Sequence, residues 1–276
     1  MPQPTLFGIL NITEDSFSDG GRYLDPAAAL ARARELIEGG ADALDLGGAS
    51  SNPKSEPVPP KAEIGRLAPV VRAARENGWS VSVDSFAPET QAWALEQGVE
   101  YLNDIQGFPE PAMYPGLARA KAKLIVMHSV QERGPAKAID TDPNAIMGRL
   151  ADFFDVRISA LTAAGVTRER LILDPGMGLF LGTKPEVSLM VLRRLPSLKS
   201  AFGLPILVSV SRKSFLRKLT GRGVAQIGPA SLAAELYAAL HGADAIRTHE
   251  PGAVRDALTI WGHIAGGLGG RSSGKP

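Results

Sequence analysis

Apolar residues are grouped along this chain in two alternating ways. One kind of segment carries them at helical spacing, as at Leu30, Ala33 and Ile37 and again at Leu232, Leu236 and Leu240. That spacing lines one side of a helix with 3.6 residues per turn. The other kind is a short aliphatic or β-branched run that ends in a polar residue, at 6–11, 43–45, 81–84, 101–103, 123–128, 171–174, 206–211 and 245–249. These runs are nearly continuous rather than alternating, as in parallel strands covered on both faces. A glycine leads into most of them: Gly40, Gly78, Gly98, Gly165, Gly203 and Gly242. Gly just past a helix supplies a left-handed cap at little steric cost. Asp25-Pro26 and Asp142-Pro143 read as helix starts, a side-chain cap followed by a first-turn proline.

Strands alternating with helices predict a parallel sheet. Eight such units in 276 residues favour closure into a (β/α)8 TIM barrel, an α/β fold, over an open sheet. A single domain is expected over residues 1–265, with its active site at the C-terminal face of the strands. Residues 266–276, rich in Gly, Ser and basic side chains, are expected to form a disordered tail.

Composition narrows the function. Lys and Arg total 30 and Asp and Glu 29, a net charge of +1, which argues against a general nucleic-acid binder. The chain has no cysteine, so it has no disulfide framework, thiolate zinc site or Cys nucleophile. No signal peptide is visible, and no apolar run is long enough to cross a bilayer, so a cytoplasmic location is expected. The phosphate-cradling GxxxxGK[ST] pattern and the GxSxG elbow of serine hydrolases are both missing.

The predicted strand ends carry Asn11, Asp45, Asp84, Asn103, His128, Asp174, the Ser211-Arg212-Lys213 group, Arg247 and His249, whereas the opposite ends carry Gly, Ala, Val and Leu. Polar residues gathered at the end where barrels hold their active sites point to an enzyme. Asp45 and Asp104 serve equally well as helix caps. As a set, Asp84, Asn103, Asp174 and Lys213 offer two carboxylates, an amide and an ammonium. A flat heterocycle with N–H donors and ring-nitrogen acceptors would satisfy them. Arg247 and His249 are two apart on one strand and share a face, which suits an anion such as phosphate. His128 fits a structural hydrogen-bond partner better than a catalyst. Loops at 12–25 and 47–60 exceed the usual βα length and are expected to cover the site.

The motifs Gly8-Ile9-Leu10-Asn11-Ile12-Thr13 and Asp15-Ser16-Phe17-Ser18-Asp19-Gly20-Gly21 open a series. Asp45-Leu46-Gly47-Gly48, Val81-Ser82-Val83-Asp84-Ser85, Leu102-Asn103-Asp104-Ile105, Leu173-Asp174-Pro175-Gly176, Ser211-Arg212-Lys213-Ser214 and Arg247-Thr248-His249 complete it. In order and spacing the series resembles the dihydropteroate synthases. That resemblance implies a homodimer that condenses a pterin pyrophosphate with para-aminobenzoate and uses Mg2+. It implies a pterin held by Asp84, Asn103, Asp174 and Lys213. Asn11 would reach the metal and the pyrophosphate, and Ser51, Arg247 and His249 would bind the pyrophosphate. Phe17, Pro53, Lys213 and Ser214 would surround para-aminobenzoate. Asp19, Asp84, Lys213 and Arg247 would take part in catalysis, Asp19 by ordering the metal and the developing cation.

Two segments depart from the family pattern. Ser50-Ser51-Asn52-Pro53-Lys54 stands where Ser-Thr-Arg-Pro-Gly is usual, and Met177-Gly178-Leu179-Phe180-Leu181-Gly182 where Phe-Gly-Phe-Gly-Lys is usual. With Gln106-Gly107-Phe108-Pro109, this pattern is similar to the sulfonamide-insensitive synthases of mobile elements. Sulfonamide insensitivity is therefore expected, with Phe108 a candidate wedge. The rival readings are a methyltetrahydrofolate methyltransferase and a non-catalytic binding barrel. The first would have no pyrophosphate for Arg247 and His249 to hold, and neither would release pyrophosphate.

Overall fold

The computed structural model describes residues 3–13, 24–50, 55–131 and 139–265. Strands and helices alternate along it: β1 (Thr5–Asn11), α1 (Pro26–Glu38), β2 (Ala43–Gly47), α2 (Pro60–Asn77), β3 (Ser80–Asp84), α3 (Pro88–Gln97), β4 (Tyr101–Asp104), α4 (Tyr114–Arg119) and β5 (Lys123–Met127). The second half continues with α5 (Ile146–Ala163), β6 (Leu171–Asp174), α6 (Pro185–Arg193), α7 (Leu195–Phe202), β7 (Leu207–Val208), α8 (Ser214–Thr220), α9 (Gly228–Leu240), β8 (Ala245–Thr248) and α10 (Pro251–Ala265). The strands form one parallel sheet in the order β6-β5-β4-β3-β2-β1-β8-β7. A parallel bridge between Leu173 and Ile206 joins its two edges, so the sheet is the expected barrel.

Local signals explain most boundaries. The Asp25 side chain accepts from the Ala28 N–H at 3.0 Å, and Pro26 opens α1. Gly78 and Gly98 end α2 and α3 in the left-handed region, at φ of 68° and 75°, where a β-carbon would be strained. The expected start at Asp142 is corrected. Asp142 closes a turn instead, its side chain accepting from the Asn144 N–H at 2.9 Å, and α5 begins at Ile146. On α9 the buried face is Ser231, Glu235 and Ala238, so the predicted leucine stripe lies to one side and is only half-buried. On α1, Ala29, Ala33 and Leu36 are buried, and Leu30 and Ile37 pack beside them. The strand predicted at 206–211 is shorter than expected, because the chain turns after Val210, where the Lys213 N–H bonds the Val210 carbonyl at 3.2 Å.

Strand register divides the core in two. Phe7, Ala43, Ile125, Ile172, Leu207 and Ala245 pack together inside the barrel, with Tyr101 against them. Their neighbours in sequence, such as Leu6, Leu44, Leu124, Leu171 and Ile246, belong to the larger core beneath the helices. Two residues further along, the inward positions are Asp45, Asn103, Met127, Asp174, Ser209 and Arg247, because side chains alternate with period two. The barrel is thus filled with apolar groups at its lower level and opens into polar groups at its upper level. Among the described residues, no helix is long and apolar enough to cross a membrane.

Candidate active site

The upper level of the barrel opens into a cleft of about 170 Å3, lined among others by Asn11, Asp84, Lys213, Ser214, Arg247 and His249. A small recess of about 30 Å3 continues it inward, between Asp84, Asn103, Asp174, Lys213 and Arg247. Eight of the predicted site residues thus share one cavity. Phe17, Asp19, Ser51 and Pro53 lie outside the described residues, as do most of the first loop and the tail at 266–276.

Strand register explains the convergence. Asn11 pairs in register with Gly47, Gly47 with Asp84, and Asp84 with Asn103. Residues in register on adjacent parallel strands stand side by side on the same face. Asp174 is fixed from beyond its strand, its Oδ1 accepting from the Gly176 N–H at 2.8 Å. Gly176 has φ of 71°, and a β-carbon there would sit 2.4 Å from the His128 carbonyl oxygen, so only glycine fits. On the opposite side, Arg212 adopts φ of 58°, a strained setting for a residue with a β-carbon. Its N–H donates to Ser231 Oγ at 3.0 Å, and the turn it makes carries Lys213 into the recess.

The charges form a compact network. Arg247 donates through Nε to Asp45 and through Nη2 to Asp84 Oδ2, the latter at 2.7 Å. Burial would lower the Arg247 pKa, but the Asp45 and Asp84 carboxylates outweigh it and hold the guanidinium firmly charged. Burial pushes Asp84 up to about 7, against the pull of Arg247 and Lys213. Burial also raises Asp174 to about 6, opposed by its Gly176 hydrogen bond. Lys213 is lowered to about 8, first by burial and then by Arg247. Burial thus disfavours the charged forms of these carboxylates, and a ligand presenting N–H groups would offset that cost. Asn103 is almost fully buried, and its Oδ1 has no hydrogen-bond partner among the described residues.

His249 is held neutral, its pKa lowered well below the usual value by burial and by the nearby Arg212, Arg247 and Lys213. Its ring Nδ1 lies 3.0 Å from Ser211 Oγ, which also accepts from the His249 N–H at 3.2 Å.

Two buried acids near the cleft, Glu63 and Glu235, escaped the sequence reading, and the fold places the residues it left open. Asp45, left open there, is fully buried under Arg247. Asp104, the other open case, points out of the barrel, where the Gln106 N–H, Gln91 Nε2 and Phe108 N–H donate to it. Glu63 on α2 lines the cleft and accepts from Thr90 and Ser85 at 2.6 and 3.1 Å; burial raises its pKa. Glu235 on α9 bonds Thr248 and Ser211 from behind, and burial pushes it up to about 7. Nothing short of the folded helix phase would have revealed either acid. His128 is buried, packs edge-on against Phe153 and lies 3.3 Å from the Pro175 carbonyl, a structural position. The Phe108 wedge is corrected: Phe108 is buried in the helix-side core, and Leu179 and Phe180 form the cleft wall instead.

Residues 7–249 match the family of pterin binding enzymes. The dihydropteroate synthase type-2 of Escherichia coli is 60% identical over 255 residues, which cover 92% of this chain and 94% of that protein. The structure of the Xanthomonas albilineans dihydropteroate synthase with 4-aminobenzoic acid superposes with a TM-score of 0.85 at 35% identity, covering 95% of this chain and 93% of that one. The Coxiella burnetii dihydropteroate synthase in complex with pteroic acid gives 0.85 at 29%, covering 94% and 92%.

Proposed function

The chain belongs to the dihydropteroate synthases, which makes it a transferase, and from that premise we propose how its residues divide the work. The pterin occupies the inner recess. Asp84 and Asp174 accept N–H bonds from its amino-pyrimidinone edge, Asn103 bonds a ring nitrogen, and Lys213 donates to its carbonyl. The observation that carries this reading is the buried Asn103 Oδ1, which has no hydrogen-bond partner among the described residues and lines the recess with two carboxylates whose charged forms burial disfavours.

The reaction is a displacement at the pterin methylene carbon. The C–O bond breaks first, its electron pair leaving with pyrophosphate, and the pterin ring spreads the resulting positive charge. Preorganised carboxylates stabilise that charge without reorganising. Arg247 and neutral His249 bind the departing anion. The para-aminobenzoate amine then forms the C–N bond, and the proton it gives up passes to the departed pyrophosphate. No protein nucleophile takes part.

Asn11 offers the cleft one amide oxygen, and no group of three acidic or histidine ligands occurs among the described residues. That donor set fits a Mg2+ carried mainly by phosphate oxygens and water. Held there, the ion would neutralise charge on the leaving group.

Sulfonamide insensitivity belongs to the same proposal. Leu179 and Phe180 wall the outer cleft, and the Lys213 ammonium sits 5.1 Å above the Phe180 ring. Such a wall admits a flat benzoate and meets the bulk that a sulfonamide carries beyond its ring. Pairing of two chains, implied by the family resemblance, completes the proposal, and a monomer mass by light scattering would remove that part. Pyrophosphate release from the pterin substrate and para-aminobenzoate tests the whole. Release that continues under sulfamethoxazole supports both claims. Release that the drug abolishes keeps the synthase and removes the insensitivity.

A further inference from the structure

Four arginine or lysine side chains line the cleft, and three of them face carboxylates. Arg212 pairs with Glu250 at 2.7 Å, Arg247 with Asp45 and Asp84, and Lys213 faces Asp84 and Asp174. The fourth is Arg217, one turn beyond Ser214 on α8, and the cleft is lined by both residues. Arg217 is only half-buried, yet its Nε is shielded from solvent and has no hydrogen-bond partner among the described residues. No ion pair joins it to a carboxylate among the described residues. A guanidinium whose inner N–H is buried and unbonded is costly to keep unless something fills the space before it.

Ile105, Met127 and Phe180, with Phe86 and Leu179 packed against them, form an apolar shelf against which an aromatic ring can be buried. Apart from Met127, the same residues line the outer cleft together with Ser214 and Arg217, whereas the inner recess is lined by Asp84, Asn103 and Asp174 and by neither Ser214 nor Arg217. We infer that Arg217 is the counter-ion for the carboxylate of the arylamine substrate, with the Ser214 hydroxyl as a second donor, and so a specificity-determining residue. This rests on the synthase reading. A planar carboxylate can take two parallel bonds from a guanidinium. A ring lying on the shelf in that grip would present its amine toward the recess, where the pterin methylene carbon is expected. An uncharged arylamine would bind without that grip.

The test compares wild type with Arg217→Gln and Arg217→Lys, using 4-aminobenzoate and its uncharged analogue 4-aminobenzamide, with pyrophosphate release as the readout. Arg217→Gln is expected to raise the KM for 4-aminobenzoate about ten- to hundredfold. The KM for the pterin substrate and the melting temperature should stay unchanged, because Arg217 supports no other described residue. Wild type should prefer the benzoate over the benzamide by a similar factor, and Arg217→Gln should erase that preference. Arg217→Lys, which keeps the charge without the fork, should fall between. An active wild type whose benzoate preference survives in Arg217→Gln overturns the assignment of Arg217 alone. A wild type that releases no pyrophosphate with either arylamine overturns the synthase reading, and this inference with it.

Discussion

Asp45 and Asp104 are both buried carboxylates on the barrel strands, and they provide a direct test of whether strand face decides function. Asp45 points inward beneath Arg247, and its side chain is 0% exposed. Asp104 points outward and is bonded by a side-chain amide and two backbone N–H groups. Replacing Asp45 by Asn removes one of the two carboxylates that hold Arg247. Unit charges about 4 Å apart attract by about 4 kcal/mol at an effective dielectric of about 20, and much of that offsets their desolvation. Breaking a buried pair by losing one partner costs about 3–5 kcal/mol. Asp84 still faces Arg247, at 2.7 Å, so the lower end, about 3 kcal/mol, is expected. For a domain of this size that lowers Tm by about 6–12 °C.

Asp45→Asn should also change the chemistry. Asp84 loses a neighbouring negative charge and gains a larger share of Arg247, and both favour its ionised form. The acid limb of kcat/KM for the pterin substrate should therefore move to lower pH. Asp104→Asn should cost about 1–3 kcal/mol of stability yet leave kcat/KM and its pH profile within about threefold of wild type. Urea unfolding and a pH series of pyrophosphate release measure both. If Asp104→Asn damages kcat/KM as much as Asp45→Asn, or if Asp45→Asn leaves the acid limb in place, the assignment of function by strand face is wrong.

Three further outcomes follow from the same geometry. Asp84 at about 7 and Asp174 at about 6 must be ionised to accept N–H bonds, and Lys213 at about 8 must keep its proton. The kcat/KM for the pterin substrate should therefore fall as pH drops through about 7 to 6 and fall again above about 8, with apparent values that belong to the coupled group; a profile flat across that range would remove these roles. Glu235 is raised from 4.5 to about 7, so the unfolded chain releases this proton first. Its contribution is fully present below about 4.5 and is lost as pH rises through about 7, and Glu235→Gln should flatten the pH dependence of unfolding by up to about 3 kcal/mol. Gly176→Ala places a β-carbon at φ of 71° and 2.4 Å from a backbone oxygen. It should cost about 2–4 kcal/mol and raise the KM for the pterin substrate by displacing the N–H that fixes Asp174, as steady-state kinetics beside a thermal melt would reveal.

The chain announces its barrel because each strand is a short apolar run and most follow a helix-ending glycine. The site was legible for a related reason. Inward positions near a strand's C-terminal end meet in register, so Asp84, Asn103 and Asp174 could be grouped by their place in the repeat alone. Helix phase was harder to read. On α9 the leucines at 232, 236 and 240 form a stripe as regular as Ser231, Glu235 and Ala238, yet the latter face the barrel. The hydroxyls of Ser211 and Thr248 satisfy Glu235 there, which no count of apolar residues anticipates. Phe108 misled for the opposite reason. It follows strand β4 toward the mouth, but its left-handed backbone, with φ of 59°, seats it in the core, and its N–H bonds Asp104.

Glu235 and Arg212 also bear on why such a site stays marginal in energy. A barrel places its polar upper level on strands that cannot easily move, so the groups are held for a ligand before one arrives. Holding them takes support from outside the barrel: Ser231 bonds the strained turn at Arg212, and Glu235 braces Ser211, which in turn holds His249. Each of these puts a polar atom on a helix face that leucine would cover at less cost, and Glu235 Oε1 has no hydrogen-bond partner among the described residues. A leucine at 235 would remove that buried charge and free the Ser211 hydroxyl to turn away from His249. If the brace exists for the anion site, Glu235→Leu gives a protein at least as stable above about pH 7 but with weaker hold on pyrophosphate. Gains in stability and losses in leaving-group binding should then appear in the same variant.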